Sequence, residues 1–134
     1  MGDIKKQPGR ILIIDDEFQV LCALEKFFKT HGWDVHTAYN TNVAEDLVER
    51  HQFDVVVADY NLPESTGLEF LNGLRKKKPW VRGIILTGQK SAIDKSVHNA
   101  EGSIYPFLEK PCNLKELMRW ADKLMSVSRN ISRL

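Results

Sequence analysis

Apolar residues follow two alternating patterns along this chain. Short continuous runs occupy 10–14 (Arg10-Ile11-Leu12-Ile13-Ile14), 54–58 (Asp54-Val55-Val56-Val57-Ala58) and 82–86 (Arg82-Gly83-Ile84-Ile85-Leu86). Runs of this kind, rich in β-branched side chains, suit strands buried on both faces. Residues 33–37 (Trp33-Asp34-Val35-His36-Thr37) alternate instead and predict an edge strand. A last run, 105–108, contains Pro106, which cannot donate to a ladder and so places that strand at an edge.

Between the runs, apolar residues recur at helical spacing. Val20, Leu21, Leu24, Phe27 and Phe28 predict a first helix that Gly32 ends. Val43, Ala44, Leu47 and Val48 predict a second, with Thr41 or Asn42 as its cap. Phe70, Leu71 and Leu74 predict a third, which must stop before Pro79. Ile93, Val97 and Ala100 predict a weaker fourth. Leu114, Leu117, Met118, Ala121, Leu124 and Met125 predict a fifth, capped by Asn113. Strict alternation of strand and helix predicts a single α/β domain, a parallel sheet covered on both faces.

Length and charge agree with that picture. A chain of 134 residues can bury a real core as one domain. Its net charge of +1 provides no bulk field toward nucleic acid or an anionic membrane. No apolar run is long enough to span a bilayer, and Met1 to Arg10 lacks the apolar segment of a secretory signal. Cys22 and Cys112 lie far apart in no metal-like pattern, which points to reduced thiols and a cytoplasmic setting. The four histidines show no ligand spacing. The basic run Arg75-Lys76-Lys77-Lys78 falls at a helix C-terminus, where cations favour the dipole, so it does not argue for nucleic acid.

The ends of the runs carry the chemistry. The first strand ends in Asp15-Asp16, the third in Asp59, the fourth in Thr87, and Lys110-Pro111 follows the last. A parallel sheet delivers all strand C-termini to one edge, where ligands bind. Carboxylates gathered there repel one another, and a hard divalent cation such as Mg²⁺ resolves the conflict. Magnesium commonly accompanies phosphate, so the set reads as phosphoryl chemistry with a carboxylate nucleophile. No Gly-rich phosphate loop accompanies it. Taken singly, each residue has a plainer reading: Asp15 and Asp16 as helix caps, Asp59 as a turn former, Lys110 as a solvated side chain.

These residues closely resemble the response-regulator receiver domain of two-component signalling, the family of the chemotaxis regulators. The resemblance covers about 9–127 and rests on five landmarks in order. They are Ile13-Ile14-Asp15-Asp16-Glu17, Val57-Ala58-Asp59-Tyr60-Asn61-Leu62-Pro63, Gly67, Ile85-Leu86-Thr87-Gly88, and Phe107-Leu108-Glu109-Lys110-Pro111. It implies a flavodoxin-like doubly wound fold of strand order 2-1-3-4-5 with five flanking helices. Residues 1–8 would be a polar extension, and 128–134 a C-terminal extension or the start of a linker.

By the same resemblance, Asp59 would accept a phosphoryl group from a histidine kinase or a phosphotransfer protein. Mg²⁺ would be held by Asp16 directly, by Asp15 largely through water, by Asp59, and by the backbone carbonyl of Asn61. Lys110 would pair with the acceptor and then with the phosphoryl group. Thr87 and Phe107 would form the switch, and the Lys110–Pro111 bond would be cis. Asn61 and Gln89 would border the path of hydrolytic water. The stretch Ala100-Glu101-Gly102-Ser103-Ile104-Tyr105-Pro106 departs from the family by being one residue longer before the last strand. The product would be a conformational state passed to an output domain or target protein, not a released metabolite. A homodimer through the last helix–strand–helix face is an assembly the family uses, and neither nucleic acid nor membrane is expected to contact this domain.

Two other readings stay open at this point. One is a degenerate receiver acting only as a binding module, against which the intact acids, Thr87 and Lys110 count. The other is a small phosphatase with an Asp nucleophile. Enzymes of the haloacid-dehalogenase type want a second Asp two residues on, where this chain has Asn61.

Overall fold

The computed structural model describes residues 7–88 and 105–132. Nine elements follow in order: β1 (Arg10–Ile14), α1 (Phe18–Thr30), β2 (Asp34–Ala38), α2 (Thr41–Arg50), β3 (Val55–Asp59), α3 (Gly67–Lys77), β4 (Arg82–Thr87), β5 (Phe107–Glu109) and α4 (Leu114–Ser132). All five strands pair in parallel in the order β2-β1-β3-β4-β5, as the resemblance implied. The described residues hold four helices. The expected helix at Ile93, Val97 and Ala100, together with Gln89 and residues 102–104, lies outside them.

Period-two alternation along each strand divides the core into two layers. Leu12, Ile14, Val56, Ala58 and Ile85 face α2 and α3, where Ala44, Val48 and Leu71 meet them. Ile11, Ile13, Val55, Val57, Ile84 and Leu86 face α1 and α4, where Leu24, Phe28, Leu117 and Ala121 meet them. Neighbouring residues on a central strand are therefore apolar on both sides, which is why those runs are continuous in sequence. Phe28 and Leu117 are fully enclosed, and truncation to alanine would cost about 3–5 kcal/mol at Phe28 and about 2–5 kcal/mol at Leu117.

The helix ends agree in part with the sequence. Gly32 ends α1 with φ +86°, a conformation that glycine adopts without penalty. Asn113 accepts at 3.1 Å from Glu116 N–H and starts α4. The cap of α2 is neither Thr41 nor Asn42. It is Asn40, whose Oδ1 accepts from Val43 N–H at 2.8 Å, and Thr41 is already helical. Pro106 precedes β5 and does not interrupt it. Leu114 is 42% exposed and lies off the buried stripe of α4. That helix continues to Ser132, with Ser128 buried and Arg129 donating to the Pro8 carbonyl at 2.9 Å.

Candidate functional site

The strand register brings the acids together. Ile14 stands beside Ala58, and Asp59 beside Leu86, so Asp15 and Asp59 emerge at one sheet edge. Asp59 is the last residue of β3 and Thr87 the last of β4. Lys110 follows β5, and its N–H donates to the Thr87 carbonyl at 2.7 Å. Its bond to Pro111 is cis. Asp15, Asp59 and Thr87 are all buried.

The Lys110 ammonium bridges the two acids. It lies 2.6 Å from Asp15 Oδ2, 3.0 Å from Asp59 Oδ2 and 3.5 Å from Glu17 Oε1. The remaining oxygens are also used: Glu17 N–H donates to Asp15 Oδ1 at 2.8 Å, and Asn61 N–H to Asp59 Oδ1 at 3.2 Å. Burial raises the pKa of Asp59; the Lys110 hydrogen bond opposes this, and the Asp15 charge adds to it. For Lys110, burial works against the ammonium, but the bonds to Asp15 and Asp59 outweigh it and its pKa rises. The site thus holds its cation firmly and the Asp59 carboxylate at some cost.

Oxygen atoms of Asp15, Glu17 and Asp59 all lie within 4.8 Å of one another. Such a set of hard oxygen donors suits a divalent cation like Mg²⁺. Asp16 is exposed and stands outside this group. Glu17, which lies in the acidic motif after β1 but had no expected role, completes it. The only signal was its position, two residues after Asp15, where its N–H turns back onto that carboxylate.

The supporting residues are packed around this core. The first turn of α3 lies against the main chain of Asp59, and a Cβ on Gly67 would collide with the Asp59 carbonyl oxygen. Gly67 N–H donates to the Tyr60 carbonyl at 2.8 Å. Phe107 is buried, its ring centroid 6.4 Å from that of Tyr60. Cys112 is half-buried, and burial pushes its thiol up, away from reactivity. Phe18, at the start of α1, is 77% exposed.

With fold and site in this arrangement, the chain belongs to the response regulator receiver domain family of two-component signalling, whose model matches residues 11–122. It is similar to the alginate biosynthesis transcriptional regulatory protein AlgB of Pseudomonas aeruginosa, with 34% identity over 134 residues. That match takes in the whole of this chain and 30% of the relative, so the chain spans about a third of its length. Among solved structures it resembles the signal receiver domain of an HD domain-containing protein from Pseudomonas fluorescens Pf-5. The TM-score is 0.85 at 23% identity, over 96% of this chain and 94% of that one, a likeness of fold. It also resembles the response regulator TrrA of Thermotoga maritima, solved in complex with Mg²⁺-BeF. There the TM-score is 0.73 at 28% identity, over 87% of this chain and 98% of that one. No described helix is long and apolar enough to cross a membrane.

Proposed function

We propose that Asp59 is the phosphoryl acceptor of this receiver domain. The observation that carries this is the bridged pair: a buried strand-end carboxylate held 3.0 Å from an ammonium that Asp15 also binds. An Asp59 carboxylate oxygen attacks the phosphorus of a phosphohistidine on a histidine kinase or phosphotransfer protein. The P–O bond forms as the P–N bond breaks, and the histidine leaves with its electron pair. Lys110, already in reach, follows the negative charge onto the phosphoryl oxygens.

Asp15, Asp16, Asp59 and the Asn61 carbonyl are the residues that would hold Mg²⁺, and the oxygen cluster with Glu17 supports a cation there. Bound magnesium supplies charge neutralisation for the incoming phosphoryl group. Thr87 and Phe107, both buried, form the readout, with the Phe107 ring 6.4 Å from that of Tyr60, the residue after Asp59. The domain catalyses its own phosphorylation and dephosphorylation, but its output is a conformation. The similarity to a transcriptional regulator supports a cytoplasmic role as the input part of a longer protein, with an output domain or target protein downstream. A homodimer through the last helix–strand–helix face belongs to the same reading.

The test is mass spectrometry after incubation with acetyl phosphate and Mg²⁺. The chain should gain about 80 Da, the mass of one phosphoryl adduct. Asp59→Asn should show no gain. A wild-type chain that stays unmodified with both this donor and a histidine kinase would overturn the reading.

A further inference from the structure

We propose that α3 carries a self-complementary surface on which a second copy of this chain docks, with the twofold axis passing beside Gly73. Glycine inside a helix lowers its stability relative to alanine. Among the described residues Gly73 has no compensating role: a Cβ built there meets nothing within 4 Å. It is exposed, sits mid-helix, and lines a groove of about 620 Å³ between α2 and α3. What a glycine leaves at such a point is room for another backbone to approach.

Charge is placed symmetrically about this position. Glu69 lies four residues before Gly73 and Lys77 four after it, so the three share one stripe of the helix. Both charged residues are exposed. Among the described residues neither belongs to an ion pair. They are about 12 Å apart along the helix at 1.5 Å per residue, too far to pair with each other. An antiparallel crossing of α3 with its copy at Gly73 sets Glu69 opposite the partner's Lys77, and does so twice. The α2 wall of the groove adds Glu45 and Glu49, which favour the basic C-terminal half of the incoming helix. Phe70 and Leu74 supply apolar lining.

A second copy is favoured over an unrelated basic protein because one helix carries both halves of the complement. The surface is separate from the C-terminal helix, since α2 and α3 cover the opposite sheet face from α1 and α4. It does not depend on the phosphoryl chemistry proposed above.

Sedimentation equilibrium of the full chain tests it. Dimer should accumulate with protein concentration at low ionic strength and dissociate as salt screens the pairs. Glu69→Lys and Lys77→Glu should each weaken association by about tenfold or more, because each sets like charges face to face. The double variant Glu69→Lys/Lys77→Glu should recover it. Gly73→Gln should raise Tm, being the better helix former, yet abolish the dimer by filling the crossing point. A wild-type chain that is monomeric at every concentration and salt overturns the proposal. So does a dimer that survives all three single variants, or a double variant that does not recover.

Discussion

Asp15 holds the Lys110 ammonium at 2.6 Å, closer than the 3.0 Å that separates the same ammonium from Asp59. Asp15 is thus the anchor of the lysine as well as a candidate metal ligand, and Asp59 shares a cation that is already held. Removing that cation leaves two buried carboxylates facing each other. Lys110→Met should lower stability by about 3 kcal/mol in metal-free buffer, the scale for breaking a buried pair from one side. Urea unfolding checks this. A loss as small as an exposed pair shows would mean the bridge is weak in solution.

Asp59→Asn should have the opposite sign. The folded state raises the pKa of Asp59 above its ordinary 3.8, chiefly through burial, so the ionised form is disfavoured by folding. That cost is fully present above the raised pKa and disappears as pH falls through it toward 3.8. Without metal, Asp59→Asn should therefore raise Tm by a few °C at neutral pH, about the scale of a 1 kcal/mol change in a domain this size. The gain should shrink in acid. Thermal unfolding in a chelator, repeated across pH, reads both parts.

Gly67→Ala separates packing from helix propensity. Alanine in an open helical position normally stabilises. At Gly67 the new methyl would strike the Asp59 carbonyl oxygen and lie 3.1 Å from Ala58 Cβ. Main chain cannot yield there without moving Asp59. We expect a loss of about 1–3 kcal/mol, the range for overpacking, together with slower phosphoryl uptake. Denaturant titration and the adduct assay measure these separately. Unchanged stability would show that α3 can shift freely.

His36 should make stability depend on pH near neutrality. Its ring lies 4.3 Å from that of His51 and edge-on to Phe53 at 5.5 Å. Burial pulls its pKa below 6.5; Asp34, 3.4 Å from Nε2, opposes this, while His51 and Arg10 reinforce it. Between the lowered value and 6.5 the unfolded chain binds the extra proton, so stability rises with pH across that window. It should fall as pH drops through 6.5 and level off below the folded pKa. His36→Gln should flatten that slope, which urea midpoints across pH would reveal; an unchanged slope would assign it to another group.

Much of this was legible in the order of residues. Continuous β-branched runs such as Val55-Val56-Val57 suited central strands, because a strand covered on both faces has no polar side. Spacings such as Leu117, Ala121 and Leu124 could only be helical. Local hydrogen bonding was less so. Asn40, Thr41 and Asn42 are all competent caps, and backbone geometry decides among them: Asn40 is extended, and Thr41 has entered the helix.

The chain by itself determined which of the described elements form and which acids, hydroxyl and ammonium stand at their ends, because periodicity is a local consequence of residue type. Tertiary structure alone decided which of those groups touch. Asp15 turns inward to Lys110 while Asp16 faces solvent, and Glu17 joins the cluster through its carboxylate, 3.5 Å from the same ammonium. Gly67 is required by a main-chain oxygen eight residues earlier, whereas a Cβ at Gly73 meets none of the described residues. Such distinctions depend on register and on the direction of each Cβ, and these are settled only when strands far apart in sequence, β1 and β3 or β4 and β5, lie side by side.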